Sequence, residues 1–268
     1  MKLEFFPIRV GRKEGPFDLF RTIRKALEEN GVSLKEGDVL IISSKFVSMS
    51  QGRLVNLGDV VYSKEAEELG KKYSIPPPLM ELIMRESERL IGGVPRFVLT
   101  YKNFTLVPNA GIDRSNVKDG CAILPPKDPY EVADVIRLGF LVELGTRIGV
   151  IISDSGLLPG RRGTIGLAVG VSGIRPIKDE RGKMDLFGKP LRATVRAIAD
   201  ELCSSAQLLM GEAGESTPIV LARGEGLWEL IDEEMDEREM AVDPDICVYL
   251  RGIANGMAGE GMRRYDHL

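Results

Sequence analysis

Gly149-Val150-Ile151-Ile152-Ser153-Asp154-Ser155-Gly156 is the stretch on which the reading of this chain turns. A β-branched run that stops at a carboxylate beside a glycine predicts a buried strand running into a loop. Val107-Pro108-Asn109-Ala110-Gly111-Ile112-Asp113-Arg114-Ser115-Asn116 ends in the same manner, with Asp113 in the place of Asp154. Two such ends can bring a pair of carboxylates together. Nearby carboxylates repel, so the pair needs a shared proton or a cation. Oxygen ligands on loop backbone suit magnesium or manganese, which in most such sites act on phosphates. The alternative is two solvated loop aspartates, since Asp at a strand end is common turn chemistry.

Working outward, residues 3–9 alternate and predict an edge strand. Asp18 to Asn30 carries Leu19, Ile23, Ala26 and Leu27 on one helical stripe. Asp38 to Lys45 predicts a buried strand entering a polar turn. Ser63 to Tyr73 predicts a helix with Ser63 as its N-cap. Pro76-Pro77-Pro78 opens a second helix, Leu79 to Leu90. Residues 96–108 predict a hairpin around Lys102-Asn103. Tyr130 to Leu144 reads as a helix, followed by the strand Ile148 to Ile152. Thr194 to Met210 is the clearest long helix, with Val195, Ile198, Leu202, Ala206 and Leu209 on one face, and Pro218 to Ala222 is a short strand. Helices and strands mix without regular βαβ alternation, which predicts an α+β or irregular α/β fold. Glycines at 160, 163, 166, 170 and 173 admit two readings. One is a phosphate-cradling loop helped by Arg161 and Arg162. The other is tightly packed segments at a bend. Neither the P-loop nor the Rossmann glycine pattern is present.

Composition narrows the chemistry. At 268 residues and 43% hydrophobic, the chain can bury one large core or form two closely joined lobes. No stretch is apolar and long enough to span a bilayer. The opening Met1-Lys2-Leu3-Glu4-Phe5-Phe6-Pro7 is unlike a secretory signal, so a cytoplasmic location is expected. Cys121, Cys203 and Cys247 lack C-x-x-C spacing, which argues for buried thiols, Cys203 among them in a helix core. The single histidine, His267, argues against a Ser-His-Asp or Cys-His nucleophile and against a histidine metal site. Carboxylates, hydroxyls, Lys and Arg must do the work. Residues 225–245 carry −9 and leave the rest of the chain at +5. A mildly basic body suits an anionic small molecule, and it lacks the dense basic stripe of a nucleic-acid binder. The acidic segment reads as a solvated helix face. Trp228, with Leu227, Leu230 and Ile231, is expected to pack a C-terminal helix on the body.

Five segments in one order carry a resemblance. They are Asn109-Ala110-Gly111-Ile112-Asp113-x-Ser115-Asn116, Leu124-Pro125-Pro126-x-Asp128-Pro129, Asp185-Leu186-Phe187-Gly188, Ala199-Asp200-Glu201 and Leu208-Leu209-Met210-Gly211-Glu212. Together they resemble the coenzyme F420 γ-glutamyl ligase family, from about Phe5 to Arg223. The family joins L-glutamate to the deazaflavin coenzyme precursor with GTP and a divalent metal. The resemblance implies a two-lobed body over 1–223; the acidic charge and the residues around Trp228, not the resemblance, give 224–268 as an acidic helical segment packed on it. The resemblance also implies a homodimer with the site near its interface, with no nucleic-acid or membrane partner. By the same resemblance Asp113 and Asp154 are metal ligands, with Ser155 standing where a threonine hydroxyl is usual. Glu212 lies in the segment that completes the site. Ser44, Lys45, Asn116, Arg161 and Gly211 are expected on the nucleotide side, and Asp113, Asp154 and Lys45 in the chemistry. That chemistry passes a phosphoryl group to an acceptor carboxylate; the glutamate amine then displaces phosphate to form the amide.

The departures fall on the nucleotide side. The family's S-K-x-E-G turn is Ser48-Met49-Ser50-Gln51-Gly52, so its phosphate-gripping lysine is Met49. A thioether is only a weak acceptor. In the T-D-T-x-G-R motif the arginine is Leu158. The early G-L-P loop is replaced by Val10-Gly11-Arg12-Lys13-Glu14-Gly15. Each charged hydrogen bond lost to phosphate costs roughly 1.5–3 kcal/mol unless Lys45, Arg12, Lys13 or Arg161 compensates. Two further functions follow from these changes: a sister ligase with a folate- or pterin-like acceptor or another nucleotide, and a non-catalytic member that binds an anionic ligand.

Overall fold

The computed structural model describes residues 2–13 and 15–258. Met1, Glu14 and residues 259–268, His267 among them, lie outside the described residues. Along the chain run β1 (Leu3–Ile8), α1 (Leu19–Glu29), β2 (Val39–Ser43), α2 (Ser44–Ser50), β3 (Leu54–Asn56), α3 (Lys64–Tyr73), α4 (Pro77–Glu86), β4 (Arg89–Val94), β5 (Phe97–Lys102) and β6 (Thr105–Pro108). Then come β7 (Cys121–Ile123), α5 (Pro129–Leu144), β8 (Gly149–Leu157), β9 (Thr164–Ser172), β10 (Lys178–Asp179), β11 (Val195–Arg196), α6 (Ile198–Met210), β12 (Ile219–Gly224) and α7 (Val248–Ala258). Single 3-10 turns cover Leu57–Asp59, Asn109–Gly111 and Glu237–Glu239. The fold is mixed α/β.

The main sheet has the order β1-β12-β2-β8-β9. Only β2 and β8 pair in parallel; the other neighbours are antiparallel. Period-two alternation explains its layers. Leu40, Ile42, Val150, Ile152, Ile219 and Leu221 face a core shared with α1 and α5. Val39, Ile41, Ile151, Val171, Val220 and Ala222 face the opposite core, against α6. Central strands buried on both faces read as unbroken apolar runs, which is why β2 and β8 were legible. A third core joins α3 and α4 to Val98 of β5 in the small sheet β4-β5-β6.

Several expected boundaries shift. β8 does not stop at Asp154 but runs on to Leu157, with Asp154 opposite Leu167 of β9. The ladder slips between Ile152 and Ser153. Such a bulge bends the strand and re-aims its side chains. Ser44 and Lys45 open helix α2 instead of a turn. The helix expected to reach Leu90 ends at Glu86, because Ser87 is extended (φ −117°, ψ 149°) and Arg89 onward pairs with β5. Val195 lies in β11, so α6 begins only at Ile198. The acidic stretch 225–245 is irregular apart from its one 3-10 turn. Trp228 does pack against the body, but from irregular chain: its Nε1–H donates to Gly37 O at 2.9 Å. Of the three thiols expected to be buried only Cys203 is; Cys121, at the edge of the two-stranded β3-β7 pair, and Cys247, in the irregular chain before α7, are half-buried. No helix among the described residues is long and apolar enough to cross a membrane.

One polar cluster ties α5 to β9. Arg137 donates to Asp134 Oδ1 at 2.8 Å, and the Ser172 hydroxyl donates to the same oxygen at 2.7 Å. Partial burial pushes the Asp134 carboxyl up, but Ser172 and Arg137 outweigh it and hold the group below its ordinary value. A depressed carboxylate stabilises the fold above its unfolded pKa, and that contribution disappears as pH falls through the folded value. Asp134→Asn should therefore cost about 1 kcal/mol at neutral pH. In urea melts the gap to wild type should close as pH drops below the carboxylate range; a gap constant with pH would contradict this account.

Candidate active site

Open α/β sheets bind ligands outside the carboxyl ends of their parallel strands. Here those strands are β2 and β8, with Ser43 in register with Ser153. One residue further on, the Ser44 hydroxyl donates to Asp154 Oδ1 at 2.9 Å. The Ser155 N–H donates to the same oxygen at 2.9 Å. Burial raises the Asp154 carboxyl above its ordinary value; the negative charge of Asp113 adds to this, against the two hydrogen bonds and the charge of Lys45.

Asp113 arrives from the other wall, pinned by paired backbone hydrogen bonds to Ile123 at 3.1 and 2.9 Å. Lys45 Nζ lies 2.5 Å from its Oδ2, and the Ser115 N–H donates to Oδ1 at 2.7 Å. Burial pushes this carboxyl up, but Lys45 and Ser115 together bring it below its ordinary value. The two aspartates from separate apolar runs thus feel each other, and Lys45 is the cation beside them. The turn before Asp113 is held in a left-handed run, with φ 50° at Asn109, 55° at Ala110 and 75° at Gly111. At the two non-glycine positions this costs about 1 kcal/mol each. Val98 N–H to Asn109 Oδ1 (2.9 Å) and Ala110 N–H to Thr100 Oγ1 (3.0 Å) hold it in place. It brings the backbone at Gly111 up against Asp154: a methyl group there would lie 3.8 Å from Asp154 Oδ2.

Glu212 follows α6. Its carboxylate accepts from Thr164 Oγ1 at 2.9 Å, from Ser155 Oγ at 3.2 Å and from the Gln207 amide. Asn116 reaches across to Ala213 O at 2.8 Å and joins the Asp113 loop to the loop after α6. These groups surround one cleft of about 900 Å³. Its walls include Ser44, Lys45, Asp113, Asn116, Asp154 and Ser155, and beyond them Gly211 and Glu212. Among the described residues no group of three or more Asp, Glu, His or Cys side chains gathers as a metal cage.

Arg161 is not among the residues that line this cleft. β8 continues three residues past Asp154, roughly 10 Å at strand rise, before its turn begins. Leu158 leaves the wall for the same reason. Met49, by contrast, lines the cleft. Gln207 and Lys118 also line it, and neither was among the candidate site residues. Gln207 sits four residues before Gly211, one turn back on the same helix face, which was a usable signal. Lys118 had none. Ser48, in the altered turn, is 1% exposed and its hydroxyl has no hydrogen-bond partner among the described residues. Removing an unsatisfied buried hydroxyl relieves its desolvation cost, so Ser48→Ala should raise stability by about 1 kcal/mol, read as a higher melting temperature. A lower one would mean that Ser48 has a partner.

Comparison with known proteins places the sequence in a family. The sequence pattern of the family described as F420-0:Gamma-glutamyl ligase matches residues 9–224. A protein of Archaeoglobus fulgidus named coenzyme F420:L-glutamate ligase is 37% identical over 226 residues, which cover 84% of this chain and 88% of that one. Its namesake in Methanocaldococcus jannaschii is 41% identical over 192 residues, covering 71% and 77%. The one in Methanothermobacter thermautotrophicus is 39% identical over 208 residues, covering 77% and 82%. The matched span runs from the loop after β1 to the end of β12, and so takes in every wall of the cleft; the chain belongs to the F420-0:gamma-glutamyl ligase family.

Proposed function

We propose that this chain is a GTP- and divalent-metal-dependent γ-glutamyl ligase that forms an amide between L-glutamate and the phosphorylated deazaflavin precursor, by way of an acyl phosphate. The observation that carries the reading is the pair Asp113 and Asp154 lining one cleft, with Lys45 bonded to Asp113 and its charge felt at Asp154. The donor set there is oxygen only: two carboxylates, the Ser155 hydroxyl and, behind it, Glu212. That set fits magnesium or manganese, which take one or two carboxylates and complete their shell with water and substrate phosphates. When bound, the ion supplies charge neutralisation at the transferring phosphoryl group. Asp113 and Asp154 would hold it, and Lys45 would stand beside the same oxygens. Ser44 orients the Asp154 carboxylate through its 2.9 Å hydrogen bond. Asn116 and Gly211 lie where a nucleotide would run along the wall. The reaction needs no protein nucleophile.

A homodimer belongs to the same reading. The exposed apolar side chains of Val142 on α5 and of Leu186 and Phe187 beyond β10 support it. A sister ligase with another acceptor or nucleotide is the second reading, favoured by the Met49 thioether on the cleft wall.

Thermal unfolding with manganese alone and with GTP, GDP or ATP tests the nucleotide step. A ligand at 100 times its Kd adds about 2.7 kcal/mol of stability. For a chain of this size that is roughly 5–10 °C. A guanine-specific, metal-dependent rise is expected, together with phosphate release that requires both precursor and glutamate. Amide formation with a pterin carboxylate instead would move the assignment to the sister ligase. No shift with any nucleotide would remove the energy source of the reaction.

A further inference from the structure

The cleft has lost a cation at Met49, and its other cations are unevenly committed. Lys45 is spent on Asp113 and Ser115. Arg12, Lys13 and Lys118 also line the cleft; Arg12 has a partner of its own, whereas neither lysine has a carboxylate partner among the described residues. Among the described residues Lys13 makes only a cation–π contact, 5.6 Å from the centre of the Phe17 ring.

Their placement is specific. Lys13 rides on the loop after β1, and that loop is docked on the turn that lacks its lysine: Pro16 packs so closely over Gly52 that a methyl group on Gly52 would sit 3.0 Å from the Pro16 ring. The other end of the loop is tied down by Val10 N–H to Ser216 O at 2.9 Å. Phe17 in turn packs on Phe46 of α2, with ring centres 4.9 Å apart. The N-terminal loop is thus a second layer over the altered turn and adds positive charge to the wall where Met49 presents none. Lys118 comes from the opposite side, two residues after Asn116 in the loop that Asn116 ties to Ala213. An ammonium is a flexible point charge suited to phosphate oxygens.

The geometry points to Lys13 and Lys118 as the phosphate anchors of the nucleotide in this chain, clamping the polyphosphate between the N-terminal loop and the Asp113 loop in place of the missing lysine. This rests on the ligase reading above. Anchors of this kind raise affinity for the triphosphate and leave the nucleoside part untouched. The glutamate substrate is equally unaffected.

The test is calorimetric titration of GTP with magnesium into the full chain. It compares wild type with Lys13→Met, Lys118→Met and the two lysine-to-arginine variants, with guanosine as the phosphate-free control. Each methionine variant should weaken GTP about tenfold to a hundredfold. The arginine variants should stay near wild type, and guanosine affinity should not change. Adding Met49→Lys to Lys13→Met should recover most of the lost affinity. Melting curves check that each variant is folded, as expected for side chains at the edge of a cleft. If wild type binds GTP and both methionine variants bind within twofold of it, the anchor assignment is overturned and the ligase reading stands. A raised KM for glutamate or acceptor with unchanged GTP affinity overturns it as well. If wild type binds no nucleotide, both fall together.

Discussion

Asp154→Asn should lower the rate of amide formation on the order of a thousandfold, a loss of about 4 kcal/mol in transition-state stabilisation. The same variant should melt at or above the wild-type temperature. The two effects have one cause. Asp154 is a carboxylate that burial and the neighbouring Asp113 both disfavour as an anion. Its hydrogen bonds from Ser44 and from the Ser155 N–H both go to Oδ1, and an asparagine carbonyl can accept them unchanged. The substitution therefore keeps the shape and the contacts while it removes a charge that the fold tolerates at a cost. A residue kept for stability would behave in the opposite way, because truncating a partnered buried group destabilises. Paired steady-state kinetics and thermal melts read both quantities. A rate within tenfold of wild type would take Asp154 out of the chemistry; a large fall in melting temperature would mean that its role is to hold β8 against α2. Asp113→Asn is a weaker test, since it also breaks the 2.5 Å contact with Lys45 and so mixes catalysis with local structure.

The half of this site that could be read in the sequence is the half that lies on strands. β2 and β8 are buried on both faces, so their apolar runs announced them and their polar ends marked the crevice. Asp154 follows from the end of the β8 run, and Asp113 from a separate run, β6 with its 3-10 turn; Ser44 and Lys45 stand just past β2, at the start of α2, and their roles come from the family resemblance. What sequence periodicity did not show was set by tertiary packing. The ladder slip after Ile152 lets a strand run through Asp154 to Leu157, and no residue type announces a bulge. That slip also explains why Arg161 is away from the wall: its distance along the hairpin depends on where β8 ends, and the residue types alone place that end at the aspartate. Lys118 was invisible because its neighbours are loop residues without a period. The acidic stretch 225–245 suits a solvated helix face by its run of like charge, yet its first part forms irregular chain with Ile231 buried and Leu230 bridged to Ile174. There a few apolar contacts override helix propensity, which is only a weak prior.

Gly166→Ala should cost about 3 kcal/mol or more, and so should Gly170→Ala. The glycines between 160 and 173 left two readings open, a phosphate cradle and a tight packing bend, and these variants separate them. Most of the segment is strand β9, pressed between two helices. A methyl group on Gly166 would fall within 2.5 Å of the Cys203 carbonyl carbon in α6; one on Gly170 would fall 2.5 Å from the Pro129 carbonyl oxygen at the start of α5. Both clashes are with backbone, which cannot rotate away as a side chain does, so a whole helix must shift. Overpacking of this kind usually costs 1–3 kcal/mol, and the rigid obstacle puts these positions at or beyond the upper end. The sites are four strand residues apart, roughly 13 Å, far enough for the two costs to add. The double variant should then lose about 6 kcal/mol, comparable with the whole stability of many domains, and should fail to fold at physiological temperature. Gly160 and Gly163 have open space around them but positive φ values of 70° and 95°. Alanine at either should cost only about 1 kcal/mol through backbone strain. Chemical denaturation of the four single variants checks the ranking. If Gly166→Ala and Gly170→Ala keep wild-type stability and instead weaken GTP binding, the glycines cradle phosphate and the packing account of β9 is wrong.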